Sequence, residues 1–114
     1  MSNTSTNIIT DEIFLEVRGV LGDKLDKIIL YGSYARGDFE SGSDIDIMVL
    51  AGISCDDLPK MEKKLWNIGW DIGLTHDIMI SVFLKESSHF NEWLEDIVYY
   101  RNIVTDGVVL YGQS

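Results

Sequence analysis

Cysteine and proline are nearly missing from this chain of 114 residues, occurring once each as Cys55 and Pro59. A lone cysteine excludes an internal disulfide and fits a reducing compartment. No histidine stands near Cys55 to activate it as a nucleophile. Only two histidines occur, His76 and His89, each alone in its stretch. Positive charge is scarce as well, with nine Lys and Arg against nineteen Asp and Glu, a formal charge of −10. Such a surface repels a phosphate backbone, and no basic cluster counters it, which argues against stable nucleic-acid binding by this chain alone and against processive polymerase action. No 18-residue apolar run is present that would span a membrane. The opening Met1 to Asn7 lacks the charged start and apolar core of a signal peptide, so the expected location is cytoplasmic. Repeats, low-complexity tracts and linkers are absent too.

What remains is a chain of 46% apolar residues, enough for one domain with a core that needs no staples. Thr10 followed by Asp11 and Glu12 reads as a helix start, with Ile13, Val17, Val20 and Leu21 as its buried stripe. Residues 1–9 are then a disordered tail ahead of a single domain over 10–114. Lys27 to Tyr31 reads as a strand broken by Gly32, residues 33–37 as a short helix before a Ser41-Gly42 turn, and Ile45 to Leu50 as a second strand. Asp56, Asp57 and Pro59 start a helix carrying Leu58, Met61 and Leu65, with Gly69 and Gly73 blurring its end. His76 to Leu84 reads as a third strand, Ser87 or Ser88 as the cap of a last helical region through Ile103, and Val108 to Tyr111 as a final short strand.

The densest information lies in IILYGSYARGDFESGSDIDIMVL, where Gly32-Ser33 is followed after ten residues by Asp44-Ile45-Asp46. Aspartates two apart on a strand project from one face, about 6.6 Å apart along the backbone. Such a pair suits two Mg²⁺ ions, which stand about 3.5 to 4 Å apart in phosphoryl-transfer sites. Gly32 lets the chain turn and approach a ligand closely, and Ser33 presents a hydroxyl and an N–H at the start of the short helix. Arg36, one turn on, reaches the same phosphates. Ser43 shapes the turn before Asp44 and is counted with the nucleotide-contacting residues. If Gly32-Ser33 and Asp44 are to touch one ligand, the first two strands pair antiparallel. The third then runs parallel to the second, with the 57–72 helix as crossover. The fold class is α/β, a small mixed sheet with flanking helices.

This run resembles the signature of the DNA polymerase beta-type nucleotidyltransferase superfamily, and most of all its minimal nucleotidyltransferases, the MNT proteins. Ala35-Arg36-Gly37 and Ser43 to Asp46 belong to the likeness, which extends more weakly over most of the chain. The resemblance implies a metal-dependent transfer of a nucleoside monophosphate, AMP from ATP, to an acceptor hydroxyl with release of pyrophosphate. Mg²⁺ is the implied cofactor, with Mn²⁺ as a substitute. It also implies a third carboxylate in an apolar strand after the crossover helix. Asp77, in His76-Asp77-Ile78-Met79, is the choice, acting through the acceptor-side metal or as general base; Asp71 is the competitor. MNT proteins are commonly paired with all-helical HEPN ribonucleases as toxin-antitoxin systems, the MNT antitoxin adding AMP to a tyrosine of the toxin. Two alternatives stay open: a non-catalytic binding antitoxin or regulatory subunit, and an aminoglycoside nucleotidyltransferase. Trp66, Trp70, Trp93, Tyr99 and Tyr100 read as core or partner-facing residues. Their number suggests an exposed apolar surface for a helical partner or a homo-oligomer.

Overall fold

Strand β2, Ile45–Ala51, is buried at every position except Asp46, and the rest of the fold is laid around it. In the computed structural model, residues 3–37 and 44–112 are described, with side chains from residue 7 onward except those of residues 33 and 36. β1, Leu25–Tyr31, lies antiparallel to β2 with Ile28 opposite Val49, Leu30 opposite Ile47 and Tyr31 opposite Asp46. β3, Ile80–Glu86, runs parallel to β2 on its other side, setting Asp46 against Ser81. β4, Val108–Tyr111, pairs antiparallel with β1, giving the order β3-β2-β1-β4. The mixed sheet and both expected pairings are therefore present.

Because strand side chains alternate, β1 and β2 feed two cores, which explains their near-continuous apolar sequences. On one face Ile28, Leu30, Ile45, Ile47 and Val49 pack with Ile13, Val17, Leu65 and Ile72 of α1, Asn3–Leu21, and α3, Leu58–His76. On the other, Ile29, Tyr31, Met48 and Leu50 meet Phe90, Tyr100 and Ile103 of α4, Ser87–Trp93, and α5, Val98–Asp106. Asp46 has the parity of Met48 and Leu50, so it belongs to this second face.

The helices depart from the sequence reading in three places. α1 begins at Asn3 rather than at Thr10, so residues 3–9 are helical instead of a disordered tail. Ile9 extends the stripe of Ile13, Val17 and Leu21 by a further turn and is fully buried. Thr10 is thus interior, its hydroxyl donating to the Asn7 carbonyl at 3.1 Å. The last helical region is two helices, and the cap of α4 is the Glu86 carboxylate, which accepts from the Ser88 N–H, rather than either serine. α3 runs through Gly69 and Gly73 to His76, so these glycines do not end it. They are contact points with β3 and with the chain leading into it: a Cβ at Gly69 would lie 2.9 Å from Val82 Cγ2 of β3, and one at Gly73 2.5 Å from the carbonyl oxygen of Ile78, just ahead of β3.

Helix propensity favours alanine over glycine by about 1 kcal/mol, but the obstruction at Gly73 is backbone and cannot rotate away. Gly73→Ala is expected to lower thermal stability, by about 1 to 3 kcal/mol, whereas Gly19→Ala on α1, which meets open space, is expected to raise it slightly. Thermal unfolding of the two variants checks this, and a gain in both would contradict the packing account.

Candidate active site

Where β1 ends, its antiparallel register with β2 brings the turn residue Gly32 alongside Asp46. Gly32 has φ +78°, and a Cβ on it would stand 2.6 Å from Asp46 Oδ2. Both the left-handed backbone and the missing side chain are needed there, and only glycine supplies both. Asp46 is half-buried and Asp44 exposed at the mouth of β2. The Ile45 N–H between them donates to the Met79 carbonyl at 2.9 Å, which carries the β2–β3 pairing up to this end of the sheet. The main chain then enters α2, Ser33–Arg36, whose Ala35 N–H turns back on the Gly32 carbonyl at 3.2 Å. The side chains of Ser33 and Arg36, and all of Ser43, lie outside the described residues.

Two tyrosines feel the charge of the carboxylates. Tyr31, opposite Asp46, is buried, and its hydroxyl shares a 2.7 Å hydrogen bond with the Tyr99 hydroxyl of α5. Burial first, then the Tyr99 hydrogen bond, then the negative charge of Asp46 hold its phenol far above the ordinary tyrosine range. Tyr34 of α2 is likewise raised, by burial and then by the charge of Asp44. Sequence reading passed over Tyr31 and Tyr34, although both flank the Gly32-Ser33 pair. Tyr99 carried no such signal, because only the sheet order brings α5 to β1.

Asp77 does not enter a strand. It closes α3 in the left-handed conformation, φ 55° and ψ 48°, its N–H donating to the Gly73 carbonyl, and β3 starts only at Ile80. Aspartate is among the few non-glycine residues that adopt this conformation readily. It lines a pocket of about 250 Å³ with Trp70, Leu74 and Met79. Asp71 lies on the exposed side of α3 in another pocket, with Glu16, Ile68 and Thr75. Among the described residues no three Asp, Glu, His or Cys side chains are grouped to hold a metal, so neither acid is brought into one set with Asp44 and Asp46. His76 pairs with Glu12 at 3.0 Å, and His89 packs against the rings of Trp93 and Tyr100.

Two oxygen-donor carboxylates beside a cradle that a Cβ would fill are a donor set that fits Mg²⁺. That ion is commonly held by one or two carboxylates, with waters and substrate phosphates completing its shell.

Gly32→Ala is expected to destabilise by about 2 kcal/mol, from backbone strain plus the encounter with Asp46. In an Asp46→Ala background the cost should fall by about 1 kcal/mol, because only the backbone term remains. Denaturant unfolding of the four-member cycle measures it, and strict additivity would mean the two residues do not meet. An absorbance titration at 295 nm tests Tyr31. A raised phenol favours the neutral form in the fold, so its stabilising effect is complete below the unfolded value of about 10 and is lost as pH rises above that. Tyr31 should therefore ionise only together with unfolding, and ionisation of all five tyrosines in the folded protein would refute its burial.

Residues 14–104 match the nucleotidyltransferase domain family. Two similar curated relatives come from Methanocaldococcus jannaschii. "Putative protein adenylyltransferase MJ0141" is 32% identical over 94 residues, covering 81% of this chain and 91% of that protein. Its paralogue MJ0604, of the same description, is 33% identical over 88 residues, covering 77% and 80%. Among solved structures, a chain from the complex of tri-AMPylated Shewanella oneidensis HEPN toxin with MNT antitoxin superposes with TM-score 0.59 at 24% identity, over 94% of this chain and 72% of that one. Spectinomycin adenyltransferase AAD(9) from Enterococcus faecialis does so with TM-score 0.65 at 14% identity, over 95% and 56%. These two structures share the fold. With four-fifths of its length aligned to MJ0141 and the domain matched from residue 14 to 104, the chain belongs to the nucleotidyltransferase domain family and is a nucleotidyltransferase.

Proposed function

We propose that this enzyme transfers AMP from ATP to a tyrosine hydroxyl of a helical HEPN-type partner, as the antitoxin of a toxin-antitoxin pair. The observation that carries the proposal is the meeting of Gly32 with Asp46 at the end of the β1–β2 pair, with Asp44 beside it. In this reading Asp44 and Asp46 hold Mg²⁺, and the bound ion supplies charge neutralisation on the triphosphate and on the departing pyrophosphate. Gly32 leaves room for the phosphates. Ser33, Arg36 and Ser43 are assigned to the same phosphates on their place in the sequence motif. The acceptor oxygen bonds to the α-phosphorus as the bond to the bridging oxygen of the β-phosphate breaks. A phenol suits this role, since its pKa of about 10 lets it give up its proton more easily than an aliphatic alcohol. Asp77 keeps the acceptor-side role as a proposal.

A partner is supported by the surface. Trp66, Trp70 and Leu74 recur at four-residue spacing along α3 and are about half exposed or more, and Trp93 on α4 is exposed as well. Apolar stripes of this kind mark association surfaces. The neighbours in complex with a HEPN toxin point to the same class of partner.

Co-expression with the adjacent gene product, followed by intact mass measurement, tests the proposal. The partner is expected to gain about 329 Da per adenylate, the α-phosphate carrying the label and the γ-phosphate none. Asp44→Asn and Asp46→Asn should each cut transfer by orders of magnitude with melting temperature retained. Tight partner binding without any mass gain would favour neutralisation by occlusion instead. Asp77→Asn should slow transfer more than it weakens ATP binding, with Asp71→Asn silent. The reverse result would move the role to Asp71.

A further inference from the structure

We infer that the pocket walled by Gly32 and one face of α5 is the nucleobase subsite, and that Asn102 and Asp106 make it select adenine; this rests on the nucleotidyl-transfer reading above. The pocket holds about 250 Å³ and is lined by Tyr31, Gly32, Tyr99, Asn102, Ile103 and Asp106. Gly32 thus both meets Asp46 and lines this pocket. A nucleotide whose phosphates rest at Gly32 and the aspartates has this recess within reach of its other end. Whole small-molecule sites start at about 300 Å³, so the space suits a base rather than a complete nucleotide.

The lining is built as a unit. Residues 99, 102, 103 and 106 fall on one face of α5, which buried Ile103 and Tyr100 anchor to the sheet. Tyr99 offers a ring to stack on, and its hydroxyl bond to buried Tyr31 fixes that ring in advance, which lowers the entropy lost on binding. Asn102 and Asp106 are exposed and line the pocket, so their polar groups are available to a ligand bound there. Asp106 also sits in the last turn of α5, where a negative charge opposes the helix dipole and no basic residue compensates it. Its position is therefore not one that helix stability favours.

Adenine matches this pair. Its exocyclic amine donates to a side-chain oxygen, and a ring nitrogen accepts from the Asn102 amide, the bidentate pattern by which asparagine reads adenine elsewhere. The Asp106 carboxylate accepts the second amine hydrogen. Guanine and uracil place a carbonyl oxygen where adenine or cytosine has its amine, and that oxygen would face the carboxylate.

Calorimetric titration with ATP, GTP and inorganic tripolyphosphate, each with Mg²⁺, separates base from phosphate recognition. The wild-type chain should bind ATP about tenfold more tightly than GTP. Asn102→Ala combined with Asp106→Ala should bring that ratio to within about threefold without weakening tripolyphosphate binding. Both side chains are exposed, so melting temperature should be unchanged. An ATP preference that survives the double substitution, or a wild type that does not discriminate, overturns this subsite and leaves nucleotidyl transfer standing. Failure of the wild type to bind ATP or tripolyphosphate at all would sink both.

Discussion

Everything at this site depends on a steric fit between a glycine without a side chain and an aspartate that needs the vacated space. Pairing Tyr31 with Asp46 fixes where β1 stops relative to where β2 starts, and the next residue of β1 must then pass the carboxylate. At Gly32 the chain does so in a left-handed conformation that leads directly into α2. The same residue accounts for the strand ending, the helix beginning and the carboxylate being accessible from the turn. A slip of one residue in the β1–β2 register would send Asp46 into the opposite core, among Ile45 and Ile47, where a charge has no partner.

The two faces of the sheet divide the work. α1 and α3 seal one face with aliphatic side chains, and the glycines of α3 let it lie close to β3. That face is built for density. The other face holds a smaller core in which tyrosines replace aliphatics toward the Asp46 end, and its phenols reach from the apolar interior to the polar turn. Aromatic residues with a polar tip suit such a boundary, since one end needs burial and the other a hydrogen bond.

Strand pairing and sheet class were legible because the reading required Gly32-Ser33 and Asp44-Ile45-Asp46 to converge on one ligand, a constraint stronger than any local propensity. The start of α1 was hidden because Thr10-Asp11-Glu12 mimics a cap, while the apolar stripe runs on through Ile9. Gly69 and Gly73 looked like breakers because sequence alone does not show whether a glycine ends a helix or lets a neighbour approach it. Asp77 was misread by the same ambiguity: an acid ahead of Ile78 and Met79 resembles the start of a strand, yet it supplies the left-handed residue that stops α3. The pocket on α5 was out of reach altogether, since it exists only because β4 returns to pair with β1 and brings the preceding helix with it.

That return of β4 also bears on the order in which the site assembles. Tyr31 and Asp46 meet across a short excursion of chain, whereas Leu30 and Val108 pair across most of the sequence. Loop-closure entropy rises with the length of chain enclosed, so the β1–β2 pair can form locally while the β1–β4 pair waits for nearly the entire polypeptide. The Gly32–Asp46 contact thus belongs to the locally formed β1–β2 pair, and the pocket wall contributed by α5 to the last and most distant closure. The Tyr31–Tyr99 hydrogen bond therefore depends on the long-range closure, whereas the Gly32–Asp46 contact depends only on the β1–β2 pair.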